Sequence, residues 1–110
     1  MPIAAAVDRV LSGGLVDTAD VARVLDTSQR SVQRWTVRDS APRKDSEERL
    51  LELAAVLDLA TKILPGEGAR LWLRSPVAEL EWSKPLDVIK DGGFRKVIDV
   101  LLALSEGVIQ

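Results

Sequence analysis

The sequence predicts an all-α fold, and three observations support this prediction. Apolar residues recur at helical spacing in several segments, most regularly in the last, which carries Phe94, Val97, Ile98, Leu101 and Leu104. No segment alternates between apolar and polar residues for long enough to form a strand. Glycine and proline fall between the periodic segments, where helices end. With 46% hydrophobic and 29% charged residues, the 110-residue chain is expected to form one compact domain, or two small ones that share a core.

Three helices are predicted in the first part of the chain. The first covers about residues 3–12 and ends at Gly13-Gly14, since glycine readily adopts the positive φ of a helix end. The second follows Asp17 and Thr18, either of which can cap it. It ends at residues 26–28, where short polar side chains compete for backbone hydrogen bonds. The third runs from about residue 28 to residue 36.

The second part of the chain contains the longest predicted helix and a series of short ones. Asp45 and Glu48 resemble a capping box that starts the long helix, and Glu47 adds a favourable charge near its N-terminus. Its wide apolar face predicts that it is the central helix, and Pro65-Gly66 ends it. The helices expected after it are Glu67–Arg74, Pro76–Trp82, Pro85–Lys90 and a final one that starts at Phe94 and stops at Gly107.

The composition excludes several classes of function. The sequence has no His, Cys or Tyr, so it can form neither a disulfide framework nor a zinc-finger site nor a Ser-His or Cys-His nucleophile. We therefore expect no enzyme activity, no cofactor and no metal. No run of 18 apolar residues is present, and the opening residues lack the basic region of a signal peptide. The expected location is the cytoplasm, without membrane insertion.

Residues 21–35 have the spacing of a helix-turn-helix. Ala22 provides the small side chain that lets the second helix approach the first, and Asp26 falls where the turn needs a left-handed residue. Many such motifs carry glycine at this position. Val32 and Trp35 would pack the second helix onto the first.

This geometry predicts a candidate DNA-binding face on an otherwise acidic chain. Residues 28–44 contain five basic residues against one acidic residue, although the formal net charge of the chain is −2. Arginine and glutamine can read base edges, whereas further basic residues contact phosphates. Useful affinity would require a dimer. The alternative is a three-helix packing unit whose polar face is solvated. The candidate DNA-binding residues are Ser28, Gln29, Arg30, Gln33, Arg34, Arg38, Arg43 and Lys44.

Two further features suggest a binding surface near the C-terminus. Trp82 follows a short predicted helix and is either a lid on the core or a contact with a partner, since tryptophan is frequent in interfaces. After the helix-stopping Gly107, the apolar Val108 and Ile109 would dock on this chain or on another protein.

Several motifs in the second half of the chain resemble those of a known family. They are Leu71-Trp72-Leu73-Arg74-Ser75-Pro76, Ser83-Lys84-Pro85-Leu86-Asp87-Val88-Ile89, Asp91-Gly92-Gly93-Phe94 and Glu106-Gly107-Val108. In this order and spacing they are similar to the toxin-binding domain of Xre/MbcA/ParS antitoxins, over roughly residues 50–110. The chain departs from the family at Glu81-Trp82-Ser83-Lys84, where many members have a Gly-rich turn, and at Asp26 in place of the usual turn glycine.

The resemblance implies a type II antitoxin that neutralises a RES-domain toxin, an NAD⁺-consuming enzyme, by lying over the active site. It also implies a homodimer and repression of its own operon. Residues 1–44 would form the helix-turn-helix region and residues 45–110 the toxin-binding and dimerisation region. Two alternatives remain: a stand-alone helix-turn-helix transcriptional regulator with a C-terminal dimerisation domain, and a structural adaptor. The candidate toxin-binding residues are Trp82, Lys84, Ser105, Glu106, Gly107, Val108, Ile109 and Gln110.

Overall fold

A computed structural model describes residues 3–37 and 41–107, and their secondary structure confirms the all-α prediction. The helices are α1 (Ile3–Ser12), α2 (Thr18–Val24), α3 (Gln29–Thr36), α4 (Lys44–Ile63), α5 (Glu67–Leu73), α6 (Pro85–Lys90) and α7 (Phe94–Ser105). A short 3-10 helix, Ala78–Leu80, lies between α5 and α6. The described part of the chain contains no strand beyond one isolated bridge between Val77 and Ser83.

The turn between α2 and α3 has the predicted left-handed residue. Asp26 has a φ of 55°, and its N–H donates to the carbonyl of Arg23 at 3.2 Å. The N–H of Thr27 reaches back to the carbonyl of Ala22 at 2.9 Å. These two bonds form a Schellman motif, which satisfies the last carbonyls of α2 and reverses the chain into α3. The start of α3 is capped by Ser28, whose side chain accepts a hydrogen bond from the N–H of Ser31.

The predicted capping box at the start of the long helix is wrong. The N–H of Glu47 donates to the carbonyl of Arg43 at 3.0 Å, so α4 starts at Lys44 and its N-cap makes no side-chain hydrogen bond. Asp45 therefore lies inside the first turn, where its backbone is already helical. There it and Glu47 place negative charge near the positive end of the helix dipole, as expected for Glu47.

The predicted helix Pro76–Trp82 is also wrong. Val77 is extended, with φ −120° and ψ 123°, and its N–H donates to the carbonyl of Ser83 at 3.1 Å. Pairing these two residues closes a tight loop, and only Ala78–Leu80 inside it is helical, as a single 3-10 turn. Pro85, by contrast, occupies the first position of α6 as predicted, where its missing N–H leaves no bond unmade.

The helices share one hydrophobic core. The buried side chains form a single cluster that extends from Val7 of α1 to Leu101 of α7. As predicted, α4 is the central helix, because it packs against α1, α5, α6 and α7. Helix α3 packs on both α1 and α2, and α2 also packs against α6. This last contact joins the helix-turn-helix to the C-terminal part of the chain.

Candidate functional site

The outer face of α3 carries the polar residues that the sequence suggested for DNA contact. Gln29, Arg30, Gln33 and Arg34 are exposed. On the opposite side, Val32 is fully buried and Trp35 is 5% exposed, so α3 is fixed against α1 and α2. The Ser28 hydroxyl is also exposed, but it is engaged in capping α3.

Two of the remaining DNA-binding candidates lie at the start of α4. Arg43 and Lys44 are exposed, and α4 packs on α1, which in turn packs on α3. Arg38 lies outside the described residues. The basic side chains at the start of α4 thus belong to the same packed unit as the α3 face, as phosphate contacts flanking a recognition helix would require.

Trp82 lies in a tight turn and is exposed. Its side chain is 71% exposed, so it is not a lid on the core. The turn comprises Leu80–Ser83, closed by a 3.0 Å hydrogen bond from the Ser83 N–H to the Leu80 carbonyl. Both central residues have positive φ, 57° at Glu81 and 65° at Trp82. Lys84 follows as the exposed N-cap residue of α6.

The second group of toxin-binding candidates lies at the end of α7. Ser105 is exposed and its hydroxyl donates to the carbonyl of Leu102 at 2.8 Å. Glu106 is the C-cap, and Gly107 has a φ of 71°, which ends the helix as predicted. Val108, Ile109 and Gln110 lie outside the described residues.

The two groups are at opposite ends of α7. A surface cavity of about 370 Å³ is lined by residues of the 80–83 turn together with Lys96, in the first turn of α7. Lys96 and Glu106 are ten residues apart, which at 1.5 Å per residue is about 15 Å along the helix axis. Contact with both groups would therefore require a partner surface that spans α7.

Among the described residues, two ion pairs connect α2 to the C-terminal part of the chain. Asp20 of α2 pairs with Arg74 just after α5, and Arg23 of α2 pairs with Asp87 of α6. The first pair is the more protected, with side chains 18% and 30% exposed. Neither ion pair was predicted from the sequence, because partners 54 and 64 positions apart leave no local pattern.

The described residues offer no arrangement for metal chemistry and no span of a lipid bilayer. No group of three or more Asp and Glu residues within them could hold a metal ion. Among the same residues, no helix has the length and apolar character needed to cross a membrane.

Comparison with known proteins identifies the class to which this fold belongs. Residues 59–107 match the family model described as "Antitoxin Xre/MbcA/ParS C-terminal toxin-binding domain". Curated relatives are 39% identical over 89 residues, which is 81% of this chain and 79% of theirs. The chain belongs to the Xre/MbcA/ParS family of antitoxins.

Within this family the chain is similar to one particular protein. The curated relatives are the mycobacterial cidal antitoxin MbcA of Mycobacterium tuberculosis and of Mycobacterium bovis. The fold is also similar to a chain of the crystal structure of the M. tuberculosis MbcT–MbcA toxin–antitoxin complex, with a TM-score of 0.88 at 34% identity. That match covers 100% of this chain and 99% of the other.

Proposed function

We propose that this chain neutralises a RES-domain, NAD⁺-consuming toxin by docking over its active site. The observation that carries the proposal is the full-length similarity to a chain from a toxin–antitoxin complex. We place this activity in the cytoplasm and expect it to need no cofactor.

Inhibition by occlusion suits the chemistry of this chain. Covering an active site requires a complementary surface and no reacting group, which agrees with a sequence without His or Cys. Residues 47–110 contain eleven acidic and eight basic residues, so this half can approach a cleft that is basic enough to hold the pyrophosphate of NAD⁺. We propose that Trp82, Lys84 and residues 105–110 contact the toxin, within a toxin-binding and dimerisation region that covers residues 45–110.

The test is an NAD⁺-consumption assay with the RES-domain toxin that we propose as the cognate partner. The full-length chain should abolish turnover, and a variant without residues 105–110 should inhibit less strongly. The truncated variant must keep the helical circular dichroism of the full chain, so that a folding defect is excluded. If inhibition by the truncated variant were complete, the blocking surface would lie elsewhere. In cells, co-expression should restore growth.

We further propose that the chain represses its own operon as a homodimer. The supporting observation is the α3 face, where Arg30, Gln33 and Arg34 are exposed on a helix that is fixed from behind. Residues 1–44 would form this DNA-binding region. The same face also favours the second candidate function, a stand-alone transcriptional regulator, which would bind the promoter without inhibiting any toxin.

Promoter binding distinguishes these functions from a purely structural role. Replacing Arg30 and Arg34 by alanine should weaken binding to the promoter fragment and reduce its dependence on salt. The matched control replaces Lys62 and Lys90, two exposed lysines outside the α3 face, and changes the net charge equally. If the two double variants bound the promoter fragment equally well, the DNA-binding surface would lie elsewhere on the chain. Sedimentation of the unbound chain tests the homodimer.

A further inference from the structure

The 80–83 turn has a backbone conformation that does not suit its residues. Positive φ at both central residues, with the Ser83-to-Leu80 hydrogen bond, is the signature of a type I′ turn. Such turns favour Asn, Asp and Gly, because a Cβ in the left-handed region crowds the backbone. Here the two positions hold Glu81 and Trp82. Neither side chain is short enough to relieve the strain by a local hydrogen bond in the way that Asn does.

Packing within the chain does not compensate for this backbone strain. Trp82 is 71% exposed, so its indole gains little burial in the isolated protein. The backbone pairing around the turn is nevertheless firm, since the N–H groups of Trp82 and Leu80 both donate to the Val77 carbonyl at 2.9 Å. The fold thus holds a large apolar side chain in solvent on a rigid support. Strained residues of this kind concentrate at binding sites.

The surroundings of the turn define the chemistry of what it can bind. The cavity of about 370 Å³ beside it has apolar walls from Leu80 and Val88. Its rim carries the carboxylates of Glu79, Glu81 and Asp91, with Lys96 as the cation among them. A complementary surface would therefore combine an apolar pocket for the indole with basic groups around that pocket.

We propose that the Glu81–Trp82 turn is a specificity-determining docking element, in which the Trp82 indole inserts into an apolar, basic-rimmed pocket of the cognate toxin. This inference rests on the proposed function. The turn lies within residues 59–107, the part that matches the toxin-binding domain of the family, and it carries Trp82, one of the residues proposed to contact the toxin. The unbound chain keeps the strained turn because the turn holds Trp82 where the toxin can bind its indole.

The decisive variant is Glu81→Asn with Trp82→Gly, which places the preferred Asn-Gly pair in the type I′ turn. Relief of strain should raise the Tm of the unbound chain by about 4 °C or more. Loss of the indole should weaken binding to the purified RES-domain toxin by roughly 30-fold. A residue with only a structural role would not change stability and affinity in opposite directions.

Three single variants separate the parts of the proposal. Trp82→Ala keeps the strained backbone and should weaken toxin binding by a similar factor. Glu81→Gln should slow association with the toxin at low salt and make the association rate less dependent on salt. The reason is that it removes one negative charge from the rim of the cavity. Val37→Ala is the control, because Val37 is also an exposed apolar residue but lies outside the proposed toxin-binding region, residues 45–110. Its toxin affinity should stay within about twofold of the wild type.

Each alternative outcome has a definite meaning. Unchanged affinity of the Asn-Gly variant, or a lower Tm, would overturn the docking role while leaving the proposed function intact. If Trp82→Ala abolished the homodimer in sedimentation without toxin, the turn would contact a second copy of this chain. That result would also overturn the toxin-docking role. If the wild-type chain did not bind the toxin at all, the proposed function itself would be wrong.

Discussion

At the scale of single residues, Asp17 shows how one carboxylate organises the start of the helix-turn-helix. Its side chain accepts a hydrogen bond from the N–H of Asp20 at 2.8 Å, and the Asp20 carboxylate accepts one from the N–H of Asp17 at 3.1 Å. This reciprocal pair is a capping box at the start of α2. The N–H of Asp20 holds the pKa of the Asp17 carboxyl below its ordinary value, because it stabilises the ionised form.

This cap gives a prediction about pH. Asp17→Ala should lower the free energy of unfolding by about 1 kcal/mol, whereas Asp17→Asn, which keeps an acceptor, should lower it less. Since the pKa is lower in the folded state, the charge of Asp17 stabilises the fold above the unfolded pKa of about 4. That contribution is lost as the pH falls through the folded pKa.

Urea titrations between pH 7 and pH 3 measure this effect. On acidification, the free energy of unfolding should fall more for the wild type than for Asp17→Asn. The difference in stability between the two proteins should therefore narrow at low pH. A difference that stays constant over this range would show that the carboxylate charge contributes nothing to the cap.

Gly93 gives a second prediction at this scale, since it joins α6 to α7 where no side chain fits. A Cβ built on it would lie 2.7 Å from Cγ1 of Val88 and 3.2 Å from the carbonyl oxygen of Val88. Gly93→Ala should therefore destabilise the fold by about 1–3 kcal/mol through overpacking. Gly68→Ala is the matched control, because a Cβ on Gly68 meets nothing within 4 Å.

The control should be neutral or stabilising by up to ~1 kcal/mol, since alanine favours the helix. Chemical denaturation of both variants measures the contrast. Equal stabilities would mean that the α6–α7 link shifts easily to admit the methyl group.

At the scale of elements, α2 connects the helix-turn-helix to the rest of the molecule through two ion pairs of unequal protection. The carboxylate of Asp20 is largely covered where it meets Arg74, and it also accepts the capping hydrogen bond from Asp17. The side chains of Arg23 and Asp87 are both more than 40% exposed. Water and salt therefore screen the second pair more strongly than the first.

The two pairs should differ in their contributions to stability. Arg74→Ala leaves the covered Asp20 carboxylate without its cation and should cost about 1–3 kcal/mol. Asp87→Ala should cost less than ~1 kcal/mol, as exposed pairs do. Denaturation in low salt and in about 1 M NaCl checks both values, and the effect of Asp87→Ala should shrink with salt. A larger loss for Asp87→Ala than for Arg74→Ala would contradict the ranking.

The elements also show how far the sequence determines the structure. The helical spacing of apolar residues and the positions of glycine predicted α1 to α7 and the Asp26 turn, because these depend on residues close in the chain. The prediction of a helix Pro76–Trp82 was wrong because proline suits the first position of a helix but is equally compatible with an extended segment. The pairing of Val77 with Ser83 decides between them, and it depends on packing across the loop.

The candidate site was predicted unevenly for the same reason. The exposed polar face of α3 follows from its own periodicity, and its outward residues were predicted one by one. The strained backbone at Glu81 and Trp82 has no local pattern, because neither residue favours positive φ. The Asp20–Arg74 ion pair also has no local sequence pattern, because it forms only when the fold brings α2 and α5 together.

At the scale of the whole molecule, the region proposed to bind DNA and the region proposed to bind a toxin share one core. The described chain extends 44 Å along its longest axis and 24 and 21 Å along the others. The buried cluster nevertheless runs without interruption from α1 to α7. Because α4 packs on α1 at one side and on α7 at the other, neither the helix-turn-helix nor the C-terminal part keeps its apolar face covered without α4.

We therefore predict that the chain unfolds in a single cooperative transition. Leu25 follows α2 and Leu101 lies in α7, and both are buried in the same cluster, with exposures of 5% and 0%. Replacing either by alanine should lower the free energy of unfolding by about 2–5 kcal/mol. Because the core is shared, each variant should lose amide-exchange protection in α3 and in α7 by the same amount. Hydrogen exchange followed by mass spectrometry measures both helices at once. If Leu101→Ala reduced protection only in α5 to α7, the two regions would unfold independently, and a toxin bound at one would not stabilise the proposed DNA-binding face at the other.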